Sequence, residues 1–201
     1  MKIFYFLLAL ALIAFILIQV FTMRGQSSIE TYPYVVDKKY DGFEIRTYEA
    51  RLFTSVKLPT KVYKDASSRG FSVLAGYIFG GNDRNEKIAM TSPVTMSLED
   101  SMTMMFMVPK NLNKDLLPQP NQSSVEFREE PAKTVAAIQF GGWASDEKIA
   151  EYKEKLTTAL DAQGIQYTGR FYFFGYNPPY EVFNRRNEII VELSSTELNA
   201  P

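Results

Sequence analysis

Neither histidine nor cysteine occurs in this 201-residue chain, and their absence narrows the chemistry open to it. Without imidazole or thiol there is no Ser-His or Cys-His nucleophile pair, no disulfide, no thiolate zinc site, no iron-sulfur cluster and no imidazole ligation of a metal. Acid-base chemistry falls to Glu, Asp, Lys and Tyr, and no paired constellation of these stands out, so the chain is not expected to be an enzyme. The densest charged motif is Arg185-Arg186-Asn187-Glu188. It reads as a turn whose ion pairs and side-chain bonds brace a final hairpin, with anion binding as the alternative. Asn177-Pro178-Pro179 reads as a rigid turn able to take a cis bond. Residues 83–86 lack the spacing of a calcium loop, and no phosphate-binding glycine fingerprint is present.

These groups must be held by a core, and the composition supports one. Apolar residues make up 46% of the chain, aromatics 14% and charged residues 22%, the makeup of a globular domain. Lys and Arg number 22 against 23 Asp and Glu, so there is no overall positive field to draw in DNA or RNA. No nucleic-acid partner is expected.

The elements follow from periodicity. Residues 43–58 (FEIRTYEARLFTSVKL) are rich in β-branched and aromatic residues and read as one or two strands ended by Pro59. Over residues 60–79, Phe71, Leu74, Ala75 and Ile78 recur at helical spacing, and Gly80-Gly81-Asn82 ends the helix. Gly70 and Gly76 weaken that helix unless packing or conformation retains them. Residues 87–98 and 101–108 read as strands. In the second, Met102, Met104 and Phe106 point one way and Met105 and Met107 the other, so it belongs in the middle of the sheet. Residues 111–124 form a connector that carries the glycosylation-type triplet Asn121-Gln122-Ser123. Residues 125–140 are again strands. A second helix follows, capped by Ser145, ended by Gly164 and carrying the stripe Ile149, Tyr152, Leu156 and Leu160. Residues 167–176 and 188–193 complete the strands.

Strand, strand, helix, strand, strand therefore occurs twice. Laying residues 44–58 over 126–140 without gaps matches Glu44 with Glu126, Arg46 with Arg128 and Ala50 with Ala132. Pro93 and Pro179 also fall at corresponding places in the two copies. The fold class expected is α+β, a pseudo-two-fold antiparallel barrel of two halves, with the groove between them as a natural ligand site.

Residues 3–23 (IFYFLLALALIAFILIQVFTM) are apolar over roughly 30 Å of helix, the thickness of a bilayer core. A cleaved signal would be shorter and end in a small-x-small site, so an uncleaved single-pass anchor is the favoured reading, with the domain on the non-cytoplasmic side. The organisation expected is an anchor over 1–24, a linker over 25–34, one domain over 35–194 and a tail over 195–201.

KIAMTSPV at 87–94, FGGW at 140–143 and YNPPYEVFNRRNEIIVEL at 176–193 lie in an order and spacing that resemble the SOUL haem-binding protein family, across residues 32–193. The resemblance implies a twisted barrel of two βαββ-like halves flanked by two helices. It also implies a haem or related tetrapyrrole, held non-covalently in a shallow hydrophobic groove beside the first helix, without an axial His here. Carried over by position, Phe71, Leu74, Ala75 and Ile78 are the groove wall, and Tyr176, Pro179 and Tyr180 lie in the loop at its mouth. The family's basic helix positions fall opposite Ser68 and Gly76, with Lys64 and Arg69 nearby. A tetrapyrrole needs a flat apolar slot and cations at its rim, roles that suit Phe71 and Ile78, and Arg69 and Lys64. The bland alternative is that the stripe is buried against the sheet and the cations are solvated. The six methionines from Met90 to Met107 include candidates for a thioether ligand to iron, but adaptable core packing explains them better. The function expected is a membrane-anchored carrier, buffer or sensor of haem or another planar apolar molecule. The alternative is a membrane-tethered protein-interaction module.

Overall fold

The computed structural model describes residues 4–8, 10, 12–13, 29–178 and 181–194. Residues 4–8, 10, 12 and 13 are helical, and apolar side chains there, from Phe4 to Ile13, are exposed. No helix among the described residues is long and apolar enough to cross a membrane. Much of the apolar run at 3–23, namely 3, 9, 11 and 14–23, lies outside them, as do 24–28 of the expected anchor and linker and the tail at 195–201.

The domain is a nine-stranded antiparallel sheet. Its strands are β1 (Tyr34–Lys39), β2 (Glu44–Tyr48), β3 (Arg51–Leu58), β4 (Val94–Ser97), β5 (Met102–Met107), β6 (Val125–Glu130), β7 (Lys133–Phe140), β8 (Tyr167–Gly175) and β9 (Asn187–Leu193). Two helices, α1 (Tyr63–Ile78) and α2 (Asp146–Ala162), complete it. The spatial order is β1-β2-β7-β9-β8-β4-β5-β3-β6. Leaving β1 aside, exchanging β2 with β6, β3 with β7, β4 with β8 and β5 with β9 turns this order into its own reverse. The pseudo-two-fold is therefore real, and the ungapped sequence match runs along it. β3 and β7, each eight residues, align from Arg51 with Lys133 to Leu58 with Phe140 and share one burial pattern. Met96 pairs with Phe173 where β4 meets β8, at the joint between halves. Pro93 is not a partner of Pro179, since it precedes β4 whereas Pro179 follows β8.

Two corrections concern closure. The sheet curls into a half-barrel whose outer strands, β1 and β6, do not pair, so the barrel is open. The seam between halves is not a groove either. Met96 and Phe173 there are 1% and 4% exposed, because β4 and β8 hydrogen-bond directly and leave no gap. β1, lying within the stretch divided between linker and domain start, escaped the sequence reading because Val35, Asp37, Lys38 and Lys39 are exposed and only Tyr34 and Val36 are half-buried.

The core has two layers, one on each face of the sheet. Both helices pack on one face, with Leu74, Ile78, Ile149, Leu156 and Leu160 meeting Met104, Phe106 and Phe173. The concave face is filled by Tyr32, Tyr48, Phe53, Met105, Met107, Tyr172 and Phe174. β5 is interior and apolar on both faces as its alternation predicts, with Met104 and Met105 in different layers.

α1 lacks a side-chain cap of its own at Val62. The Asp146 carboxylate, in the first turn of α2, accepts from the backbone N–H of Tyr63 (2.6 Å) and of Lys64 (3.5 Å). One acidic residue thus serves the positive end of two helices. Ser145 caps α2 as expected, accepting from Lys148 N. Among the described residues the cis peptide bond is at Ser92-Pro93; the turn at 177–179, read as able to take one, lies partly outside them.

Candidate functional site

α1 approaches the sheet closely because Gly70 has no side chain. A Cβ there would lie 2.8 Å from Leu58 Cδ1 and 3.0 Å from Met104 Cβ. This seats Leu74, Ala75 and Ile78 in the core, at 0%, 9% and 3% exposure. Phe71 stays at the edge, 37% exposed, with its ring 5.5 Å from that of Phe106. Phe106, Ile78, Leu117 and residues 88–91 bound a dimple of about 10 Å³, room for little more than one water. Ala89 is exposed and Met90 half-buried beside it, and Phe79 is exposed just past the end of α1. Lys64 and Arg69 project into solvent.

Of the expected wall, then, only Phe71 can touch a ligand without rearrangement. Its neighbours Leu74, Ala75 and Ile78 are buried against the sheet, as the bland reading of the stripe has it. Tyr176 lies across the sheet from α1, packed on the concave layer. Its hydroxyl donates to Glu188 Oε2 at 2.8 Å. Burial first, then the Glu188 charge, hold that phenol well above its ordinary range. Pro179 and Tyr180 lie outside the described residues. Ala89 and Phe106, which line the dimple with Met90, were not among the expected site residues, although the motif KIAMTSPV contains Ala89. Nothing local marks them, since only the return of this segment past α1 makes them its neighbours.

The charged motif at 185–188 is internal bracing. Arg185 Nη1 donates to Pro178 O (2.8 Å) and Glu181 O (2.6 Å), and its guanidinium stacks on Trp143 at 4.1 Å. Arg186 donates to Glu188 Oε1 through Nη2 at 2.7 Å and Nε at 3.0 Å. Glu188 is fully buried, and its other oxygen accepts from Arg46 Nη1 at 2.9 Å. Burial alone would lower the Arg46 guanidinium, but the Glu188 carboxylate outweighs it and holds Arg46 more firmly charged.

A dimple of about 10 Å³ cannot enclose a macrocycle; Phe71, Ala89 and Met90 are the accessible apolar side chains that would hold one, and Lys64 and Arg69 are the exposed cations of α1. Met96, Met104 and Met105 are buried in the two layers and do not line the dimple.

A half-barrel of two duplicated halves, with both helices on one face of the sheet, defines the class of domain. Its fold is shared by the C-terminal domain of EcmrR (TM-score 0.60, 10% identity, 76% of this chain and 96% of that one). It is also shared by a hydrolase from Listeria innocua (TM-score 0.54, 9% identity, 76% and 91%). The chain belongs to the SOUL heme-binding protein family, whose profile matches residues 29–192. It is 30% identical to heme-binding protein 1 of Mus musculus over 175 residues, covering 81% of this chain and 92% of that one. It is likewise 30% identical to heme-binding protein 2 of Homo sapiens over 156 residues, covering 73% and 76%.

Proposed function

We propose that this protein binds haem or a related tetrapyrrole non-covalently, on the open apolar face along α1, and does so from a membrane anchor at residues 3–23. The observation that carries the reading is Phe71, a large aromatic left 37% exposed beside the dimple in a chain of this family. With no imidazole in the sequence, binding rests on apolar contact and on Arg69 and Lys64 at the rim. The protein's part is to hold and shield the ring rather than to transform it.

The path of the chain supports the tether. Ser92 N donates to Glu30 O (2.9 Å), Tyr32 N to Ser92 O (2.8 Å), and Lys110 N to the Glu30 carboxylate (3.1 Å). The segment leading from the anchor therefore joins the domain one residue past the 88–91 wall of the dimple. Residues 24–28 can span at most about 18 Å, which keeps the α1 face near the bilayer, where an amphipathic planar ligand partitions. The domain side would be non-cytoplasmic.

The test is a hemin titration of the full chain in detergent micelles. A saturable Soret change is expected, weakened about tenfold by Phe71→Glu and several-fold by Arg69→Glu. A titration without saturation, or one indifferent to Phe71→Glu, would remove the reading.

A second reading, a tethered protein-interaction module, draws on another surface. Trp143, Val182 and Phe183 are 53%, 44% and 56% exposed around the Arg185 turn. Loss of a captured partner in Trp143→Ala/Phe183→Ala, with hemin binding intact, would favour it.

A further inference from the structure

A second, larger opening than the dimple lies elsewhere in the domain. On the concave face, at the end bounded by β1, β2 and β7, is a cavity of about 390 Å³. That volume is within the range of small-molecule sites. It is the part of the trough that the aromatic layer leaves unfilled. Beyond Ala137, the next residue of β7 on this face is Gln139, which is exposed.

The walls are cationic in a domain that carries more acid than base. Lys39, Arg46 and Arg186 line the cavity with Tyr34 and Glu44. Arg46 is held by Glu188 and by Glu44 (2.8 Å), over the Tyr34 ring at 4.4 Å. Arg186 is held by Glu188 and donates to the Tyr34 hydroxyl at 3.2 Å. Its Nη1 has no hydrogen-bond partner among the described residues. Lys39 lies 3.5 Å from Glu44, with its side chain 75% exposed. Three cations face two carboxylates, and one of those, Glu188, is sealed behind the arginines. The exposed Asp41, on the β1–β2 turn, is not part of the lining.

The two-fold shows how the cavity arises. Arg128, the counterpart of Arg46, is half exposed and among the described residues pairs with Glu130 alone, since none of the described strands lies beyond β6 to supply a second wall. β1 supplies that wall on the β2 side alone. The tyrosine faces there are already used, Tyr34 by Arg46 and Tyr40 by Phe43 at 4.5 Å. A guest therefore meets N–H donors and charge, not open rings.

We propose that this cavity is a second binding site, for a small organic oxyanion whose carboxylate or phosphate group lies between Arg186 and Lys39. It does not depend on the haem reading, since it lies across the sheet from α1. Phenyl phosphate and phthalate serve as probes, titrated into the full chain in micelles by calorimetry, and the tighter of the two identifies the anionic group. Saturable binding is expected, weakened about tenfold by Lys39→Glu and by Gln139→Glu, retained in Lys39→Arg and unchanged by Phe71→Glu. Both substituted carboxylates sit on exposed positions, and thermal melts verify that each variant folds. Absence of saturable binding by either probe overturns the proposal. So does binding indifferent to Lys39→Glu and Gln139→Glu, or binding lost in Phe71→Glu.

Discussion

Glu188 is the residue on which the concave face is organised. Its carboxylate is fully buried and accepts from Arg46, Arg186 and the Tyr176 hydroxyl, so every part of its charge is answered within hydrogen-bonding distance. Removing one partner of a buried ionic cluster is costlier than the cluster is worth, because the remaining charges stay desolvated and unpaired. Glu188→Ala is therefore expected to lower stability by about 3–5 kcal/mol, measured by urea unfolding. A loss below 1 kcal/mol would show that the arginines find water. The Arg185–Glu188 motif was visible in the sequence as bracing. The partnership with Arg46, 142 residues away in the chain, was not, because nothing in the local pattern of β2 records which strand β9 will approach.

At the scale of elements, the two glycines of α1 separate packing from propensity. Gly70 faces Leu58 and Met104 at distances that leave no room for a methyl group, whereas nothing lies within 4 Å of a Cβ at Gly76. Gly70→Ala is expected to destabilise by about 1–3 kcal/mol through overpacking. Gly76→Ala should stabilise by about 0.5–1 kcal/mol, the difference in helix propensity. Thermal melts of the two variants shifting in the same direction would contradict this assignment. The stripe Phe71, Leu74, Ala75 and Ile78 was readable from its spacing, and so was the helix. Its division into three buried side chains and one rim aromatic was not, since spacing marks a face but not how far a neighbouring segment covers it. The N-terminal cap was hidden for a similar reason: Asp146 is distant in sequence and belongs to the other helix.

For the whole molecule, burial of tyrosines across both layers predicts alkaline sensitivity. Burial is the leading cause that pushes Tyr48, Tyr63 and Tyr77 from the usual 10 up to about 12. These phenols stay neutral in the fold while the unfolded chain ionises above about pH 10. Their stabilisation is therefore complete below pH 10 and is lost as the pH rises through 12. Melting temperature should be level from pH 8 to about 9.5 and then decline steeply. The share of tyrosinate absorbance due to these three should appear together with unfolding. Ionisation of these tyrosines at pH 10 in a still-folded protein would refute it.

The sequence by itself determined the exclusions and the plan: no imidazole or thiol chemistry, two copies of one strand-helix-strand unit, an interior β5, and an apolar N-terminal run. Composition and periodicity are local properties, and each of these is written within one segment or in the likeness of two. Only the tertiary structure decided that the seam between halves is closed, that the half-barrel stays open, and that β1 walls a cationic cavity on the face away from α1. Those outcomes depend on which strands pair and which side chains a neighbouring element covers. That is settled by long-range burial and hydrogen bonding, not by the pattern of any one stretch of chain.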